Sequence, residues 1–434
     1  MIAPITARPR VLLIAEAANP EFVSVPLVGW SVAQALREVA DVHLVTQIRN
    51  REAILRAGLT EGRDFTVINS EKVAGPLYRA ANALRMGSGK GWTLMQAVSS
   101  FSYRYFEHVV WQQFGPALRG GEYDIVHRVT PLSPTAQSPI APKLKAQGVP
   151  FVLGPLNGGV PWPAGFDRER RREREWLSYV RGAYKLLPGR EATLRSAAAI
   201  LVGSRHTESE IPDAYREKCV YIPENAIDPE RFNLRAVAPG EGPLRICFVG
   251  RLVPYKGADM LLEAAAPLLR TGRARIEIIG DGPMRAELEA LATREGITAG
   301  VTFHGWLEHR EVQKVMASCS LLGFPSIREF GGGVVLEAMA LGMAPLIVDY
   351  AGPGELVTPG TGFKVPIGPR EQIIAGVRAE LERLVDRPEE IAQAGAAAFD
   401  RVQEKFTWAR KAEQIAEVYD WVLGRRADRP DPLA

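Results

Sequence analysis

The 434-residue sequence predicts an α/β protein built from two open, doubly wound sheets of parallel strands, and three observations carry that prediction. The chain is too long for one compact core, while its 46% hydrophobic and 24% charged residues are those of ordinary globular material. Both halves alternate short apolar runs of strand length with segments of helical periodicity. A proline- and glycine-rich stretch, VAPGEGP (237–243), separates the two alternations and reads as a linker. The expected division is therefore residues 1–236, residues 237–407 and a final helical segment, 408–434.

In the first half, RVLLIA (10–15) is a near-continuous apolar run of buried-strand length. A loop with Pro26 and Gly29 leads to WSVAQALREVA at helical spacing, and DVHLVTQ follows as the next strand. The pattern resumes at YDIVH (123–127), PFVLG (150–154) and AAILVGS (198–204). Between Pro76 and Phe114 lies a helical insertion, and Arg168–Arg174 holds five arginines and two glutamates. That run reads as a solvated helix face of mixed charge pairs, or as a patch resting on anionic lipid or a charged acceptor.

The second half is more regular. RICFVG, RIEIIG, VTFHG, LLGFPS and APLIV are strands, and the segments between them are helical. Strands apolar on both faces imply a parallel sheet covered by helices. WARKAEQIAEVYDWVLGRR (408–426) is the last helix.

Composition excludes some functions. A net charge of +3 suits anionic small molecules or an anionic lipid surface and does not call for nucleic acid. Cys219, Cys247 and Cys319 are far apart and odd in number, as expected of reduced, buried thiols in a cytoplasmic protein. The N-terminus runs into a short strand, without the pattern of a secretory signal. The longest uncharged stretch, Ala146–Phe166, has four prolines and five glycines and is unsuited to a membrane helix. Any membrane contact is expected from the surface.

In open parallel sheets ligands bind beyond the carboxyl ends of the strands. After RICFVG come Arg251 and Lys256, two cations able to neutralise a diphosphate leaving group. After VTFHG comes WLEH, whose backbone near Trp306 and Leu307 could read a flat base. After LLGFPS comes REFGGGVVLE, in which Gly331, Gly332 and Gly333 lead into a helix whose first N–H groups suit a phosphate. Glu337, in the first turns of that helix, can accept two hydrogen bonds from a ribose diol. Glu329, on the loop, is placed for the hydroxyls of a second sugar. Taken singly, Arg251 and Lys256 could be surface charges, and Glu337 is favoured near a helix start by the helix dipole alone. Four such loops in order on one sheet make a stronger pattern.

GRLVPYKG, IIGDGP, FHGWL and the spacing from Glu329 to Glu337 resemble family 4 of the retaining, nucleotide-sugar-dependent glycosyltransferases, over nearly the whole C-terminal half. The resemblance implies the GT-B fold, with two facing Rossmann-like domains, a deep interdomain cleft and a C-terminal helix crossing back to the first domain. It implies that Arg251 and Lys256 hold a donor diphosphate, that Glu337 holds the ribose, and that Glu329 with the backbone of Phe330–Gly333 holds the transferred sugar and phosphate. Gly250, Leu307 and Val334 would complete the donor site. No metal is implied, and the sequence holds no Asp-x-Asp pair at a strand end.

The first half fits more loosely. DIVHRVTP supplies His127 where the family has a cleft histidine, but Val129 stands at the second histidine position. His127 is thus either a catalytic cleft residue or a packed strand-end residue. Gly29, Asn157 and Ser204 are the other candidate contacts. The implied activity is transfer of a sugar from a nucleotide-diphosphate sugar to a glycan or glycolipid acceptor, in surface polysaccharide or glycolipid synthesis, at the cytoplasmic face of a membrane. Rival readings are a non-catalytic donor-binding subunit and a nucleotide-sugar epimerase. A nicotinamide dehydrogenase is disfavoured, because no Gly-x-Gly-x-x-Gly follows the first strand.

Overall fold

The computed structural model describes residues 7–71, 92–172, 188–240 and 242–433. Much of the predicted 76–114 insertion and part of the 168–174 charge run lie outside the described residues, although Trp92–Arg119 forms one helix. No described helix is long and apolar enough to cross a membrane. The three cysteines are buried and unpaired.

Seven strands form the first sheet: β1 (Arg10–Ala15), β2 (Asp41–Gln47), β3 (Phe65–Ile68), β4 (Ile125–Thr130), β5 (Phe151–Leu156), β6 (Ala199–Val202) and β7 (Cys219–Tyr221). They are ordered β3-β2-β1-β4-β5-β6-β7 and paired in parallel throughout. Period-two alternation decides which side each residue packs on. Leu12 and Ile14 join a cluster with Phe106, Val126 and Phe151, whereas Val11, Leu13 and Ala15 join one with Ile125, Val129, Ile415 and Tyr419. Each fully buried aliphatic side chain contributes roughly 1.5–3 kcal/mol. The second cluster draws Ile415, Val418 and Tyr419 from the final helix, Trp408–Val422, which is therefore part of this core.

Six strands form the second sheet: β8 (Leu244–Val249), β9 (Ala274–Ile279), β10 (Val301–Gly305), β11 (Leu321–Phe324), β12 (Ala344–Asp349) and β13 (Phe363–Pro366). Their order is β10-β9-β8-β11-β12-β13, again all parallel. Arg370 joins two of its covering helices, bonding Asp259 at 2.7 Å and Glu263 at 2.7 Å. The strand order reverses between β8 and β11, so the loops after these two neighbours open on the crevice where α/β sheets bind ligands.

The chain divides into two compact units, both of parallel-sheet, Rossmann-like form. One comprises Met1–Gly158, Leu177–Glu224 and Trp408–Ala434; the other comprises Gly159–Trp176 and Asn225–Thr407. This differs from the expected boundary at 236/237. The proline- and glycine-rich run is attached to the second unit at its start, where Ala236 N donates to Leu341 O at 2.8 Å and Val237 N to Ala317 O at 2.9 Å. Composition marks a break in periodicity there, while the crossing lies twelve residues earlier, between Glu224 and Asn225.

Candidate donor site

The loop after β8 is shaped by a 3-10 turn, Pro254–Lys256, ended by Gly257 at φ 78°. A Cβ on Gly257 would lie 2.4 Å from Pro325 O, so glycine is needed both for the left-handed backbone and for the close approach of the loop after β11. The two loops are joined there: Ile327 N donates to Tyr255 O at 3.0 Å and Ser326 Oγ donates to the same carbonyl at 3.1 Å. The loop after β9 braces them from the other side, with Leu252 N donating to Asp281 O at 2.9 Å.

This bracing brings Lys256 and Glu329 together as an ion pair, with about a fifth of each side chain exposed. Burial pulls the Lys256 ammonium down to a pKa of about 8. It is therefore still mostly protonated at neutral pH. Arg251 is exposed beside Gly250, and its guanidinium has no ion-pair partner among the described residues. The site thus holds one half-buried cation already paired with a carboxylate and one cation facing solvent.

Gly332, at φ 57°, caps the helix Gly333–Ala340 without a side-chain hydrogen bond, so no side chain satisfies the first N–H groups at Gly333 and Val334. Asn225 Nδ2 donates to Gly331 O at 3.2 Å, and Gly352 N donates to Glu329 O at 3.2 Å, fixing the loop through Phe330. Glu337 is half-buried on that helix, and His309 Nε2 lies 3.8 Å from its Oε1, an ion pair when the imidazole carries a proton. His309 stands edge-on to Phe232, with ring centroids 5.2 Å apart. The sequence reading missed His309, although it closes the quoted WLEH loop. Leu307 is half-buried in that loop, and Trp306 is 71% exposed.

The four first-unit candidates have protein partners or packing roles. His127 is fully buried in β4, with Nε2 2.8 Å from Gly154 O and Nδ1 2.7 Å from the Tyr419 hydroxyl. A carbonyl only accepts, so Nε2 carries the proton and Nδ1 accepts from Tyr419. Burial lowers the His127 pKa to about 4, and the ring is neutral. Both ring nitrogens thus have protein partners, the arrangement expected of the packed strand-end reading. Gly29 lies inside the helix Val25–Leu36, where a Cβ would come 2.1 Å from Ala17 O; it permits close packing of helix against strand end. Ser204 is buried and caps the helix Arg205–Ser209 by accepting from Thr207 N at 3.0 Å. Asn157 Nδ2 donates to Glu224 Oε2 at 2.8 Å. Glu224 is raised by burial to about 7, and the buried Lys411 nearby is lowered by burial to about 7 while donating to Pro223 O.

Known proteins resemble the stretch of chain that carries these loops. Residues 230–397 match the family described as glycosyl transferases group 1. The alpha-D-kanosaminyltransferase of Streptomyces kanamyceticus is 32% identical over 176 residues, 40% of this chain and 45% of that protein. The 2-deoxystreptamine glucosyltransferase of the same organism is 28% identical over 245 residues, 54% of this chain and 62% of that protein. The chain thus spans about half the length of these curated relatives. Among solved structures, Anabaena Alr3699/HepE in complex with UDP superposes with a TM-score of 0.62 at 16% identity, covering 94% of this chain and 99% of that one. The chain therefore has the GT-B fold, and its residues 230–397 match the family model of the glycosyl transferases group 1.

Proposed function

We propose that this protein is a glycosyltransferase that moves a sugar from a nucleotide-diphosphate sugar to an acceptor hydroxyl, with retention at the anomeric carbon and without a metal. The observation that carries the reading is the Lys256–Glu329 pair, held between the loops of adjacent switch-point strands beside an uncapped helix start. A bound diphosphate would take Lys256 and Arg251 as counter-charges, freeing the Glu329 carboxylate for sugar hydroxyls. Glu337 would accept from the ribose. The leaving phosphate itself would take the acceptor proton on the face it departs from, which accounts for retention without a covalent enzyme intermediate. The acceptor in this reading is a glycan or glycolipid, and the protein meets the anionic face of a membrane only peripherally.

The test is a thermal-shift panel of UDP-, GDP- and ADP-sugars, followed by NMR assignment of the product anomer. One base should raise the melting temperature selectively, and the donor configuration should persist. No shift with any of them, or inversion, would remove the assignment. A second reading, a donor-binding subunit without turnover, is favoured by the enclosure of His127. Transfer or donor hydrolysis by the purified protein excludes it.

A further inference from the structure

A short piece of chain that follows a strand of the first unit is built into the second. Beyond β5 the chain passes Asn157 and Gly158, and Gly159–Trp176 belongs to the second unit. Loops after three second-sheet strands hold its first residues. Arg328, in the loop after β11, donates from Nε to Val160 O at 3.1 Å. Its guanidinium lies 5.2 Å from the ring centroid of Trp162 and 5.9 Å from that of Tyr255, in the loop after β8. Those two rings meet edge to face, 5.9 Å apart at 88°. The Tyr350 hydroxyl, just after β12, donates to Pro161 O at 3.1 Å.

Two of these holding residues are chain neighbours of the donor-site pair, and the third is linked to it through one hydrogen bond. Tyr255 precedes Lys256, Arg328 precedes Glu329, and Tyr350 lies two residues before Gly352, whose N–H bonds the Glu329 carbonyl at 3.2 Å. The contacts close a circuit: Val160, Arg328, Glu329, Gly352, Tyr350 and Pro161. None of the holding residues is a chain neighbour of Glu337, which the proposal sets against the ribose, or of His309 beside it. A carboxylate carried on backbone that is fixed from both sides and paired with Lys256 is pre-organised, so less freedom is lost when it meets a ligand.

We propose that Val160–Trp162 forms a wall of the donor-sugar subsite and that Arg328 is a positioning residue for it, acting through Glu329. This rests on the nucleotide-sugar reading above. Arginine suits the place because a planar guanidinium can lie against two rings while its Nε–H reaches a carbonyl, which an ammonium cannot reproduce.

The test is calorimetric titration of the full chain with UDP, ADP and GDP and with UDP-glucose, ADP-glucose and GDP-mannose. For the base that binds, Arg328→Ala should leave the bare diphosphate within about twofold of wild type and weaken the matching sugar nucleotide by about tenfold. Arg328→Lys should fall between, and Tyr350→Phe, which removes one hydroxyl on the surface of a retained ring, should weaken only the sugar nucleotide, by roughly threefold. Equal binding by wild type and Tyr350→Phe, or equal weakening of both ligand classes in the arginine variants, overturns the inference. Wild-type protein that binds none of the three diphosphates overturns the nucleotide-sugar reading beneath it instead.

Discussion

The loops after β8 and β11 and the middle of β4 both bring histidine, arginine, lysine or glutamate to a strand-order reversal, yet they use them in opposite ways. In the second sheet Arg251, Lys256, Glu329 and Glu337 stand beyond the strand ends and remain partly exposed. In the first sheet His127 and Arg128 lie within β4 at 0% exposure, bonded to Gly154, Tyr419 and Ala136. The difference is one of position along the strand. A polar side chain past the last ladder bond can wait for a ligand, whereas one inside the ladder depends on the protein, which pairs both His127 nitrogens and Arg128 Nη1 but, among the described residues, not Arg128 Nε or Nη2.

The largest effect should come from Lys256→Ala, which removes the half-buried cation that the proposed function sets against the leaving diphosphate and should lower kcat by about a hundredfold or more, read as release of nucleoside diphosphate. A variant with near wild-type turnover would erase the contrast. His127→Ala should do the reverse. It leaves the Gly154 carbonyl and the Tyr419 hydroxyl unpaired in a buried cavity, a loss of about 3 kcal/mol in unfolding free energy by denaturant titration. Turnover per folded molecule should stay within about threefold; a large fall in kcat at unchanged stability would return His127 to the active site.

The legible and illegible parts of the sequence divide along the same line. That Arg251, Lys256 and the glycines 331–333 lie in loops beyond strands was legible because each follows an apolar run within a few residues, and Glu337 because helical spacing resumes after those glycines. His127 sits inside such a run, and nothing local reveals that Tyr419, 292 residues away, supplies its partner. The same distance problem hid the unit boundary, since the bonds from Ala236 and Val237 reach Leu341 and Ala317. The strands missed from sequence, β3, β7 and β13, have only three or four residues and lie at sheet edges, too short to show a period.

Two smaller effects sharpen the comparison. Lys256, lowered from 10.5 to about 8 by burial, loses its proton as pH rises through that value. Diphosphate affinity should therefore be highest below pH 8 and decline above it, a slope absent from Lys256→Ala in the same calorimetric series. His127, already neutral above about 4, should add no step to that profile near neutrality. Ser204→Ala, finally, removes a buried helix cap and should lower stability by about 1 kcal/mol, with unchanged donor affinity. Weaker donor binding would give Ser204 a ligand role after all.

The discontinuous second unit bears on how such proteins can exchange parts. The family match, residues 230–397, is contiguous and looks like a cassette. The segment clasped by Arg328 and Tyr350 is encoded more than fifty residues upstream, inside the other half of the gene. A chimaera joined at the apparent linker would pair its family-matched cassette with a foreign Val160–Trp162 equivalent. Recombination that carries residues 159–176 along with 225–407 would keep the clasp intact, at the cost of two seams rather than one.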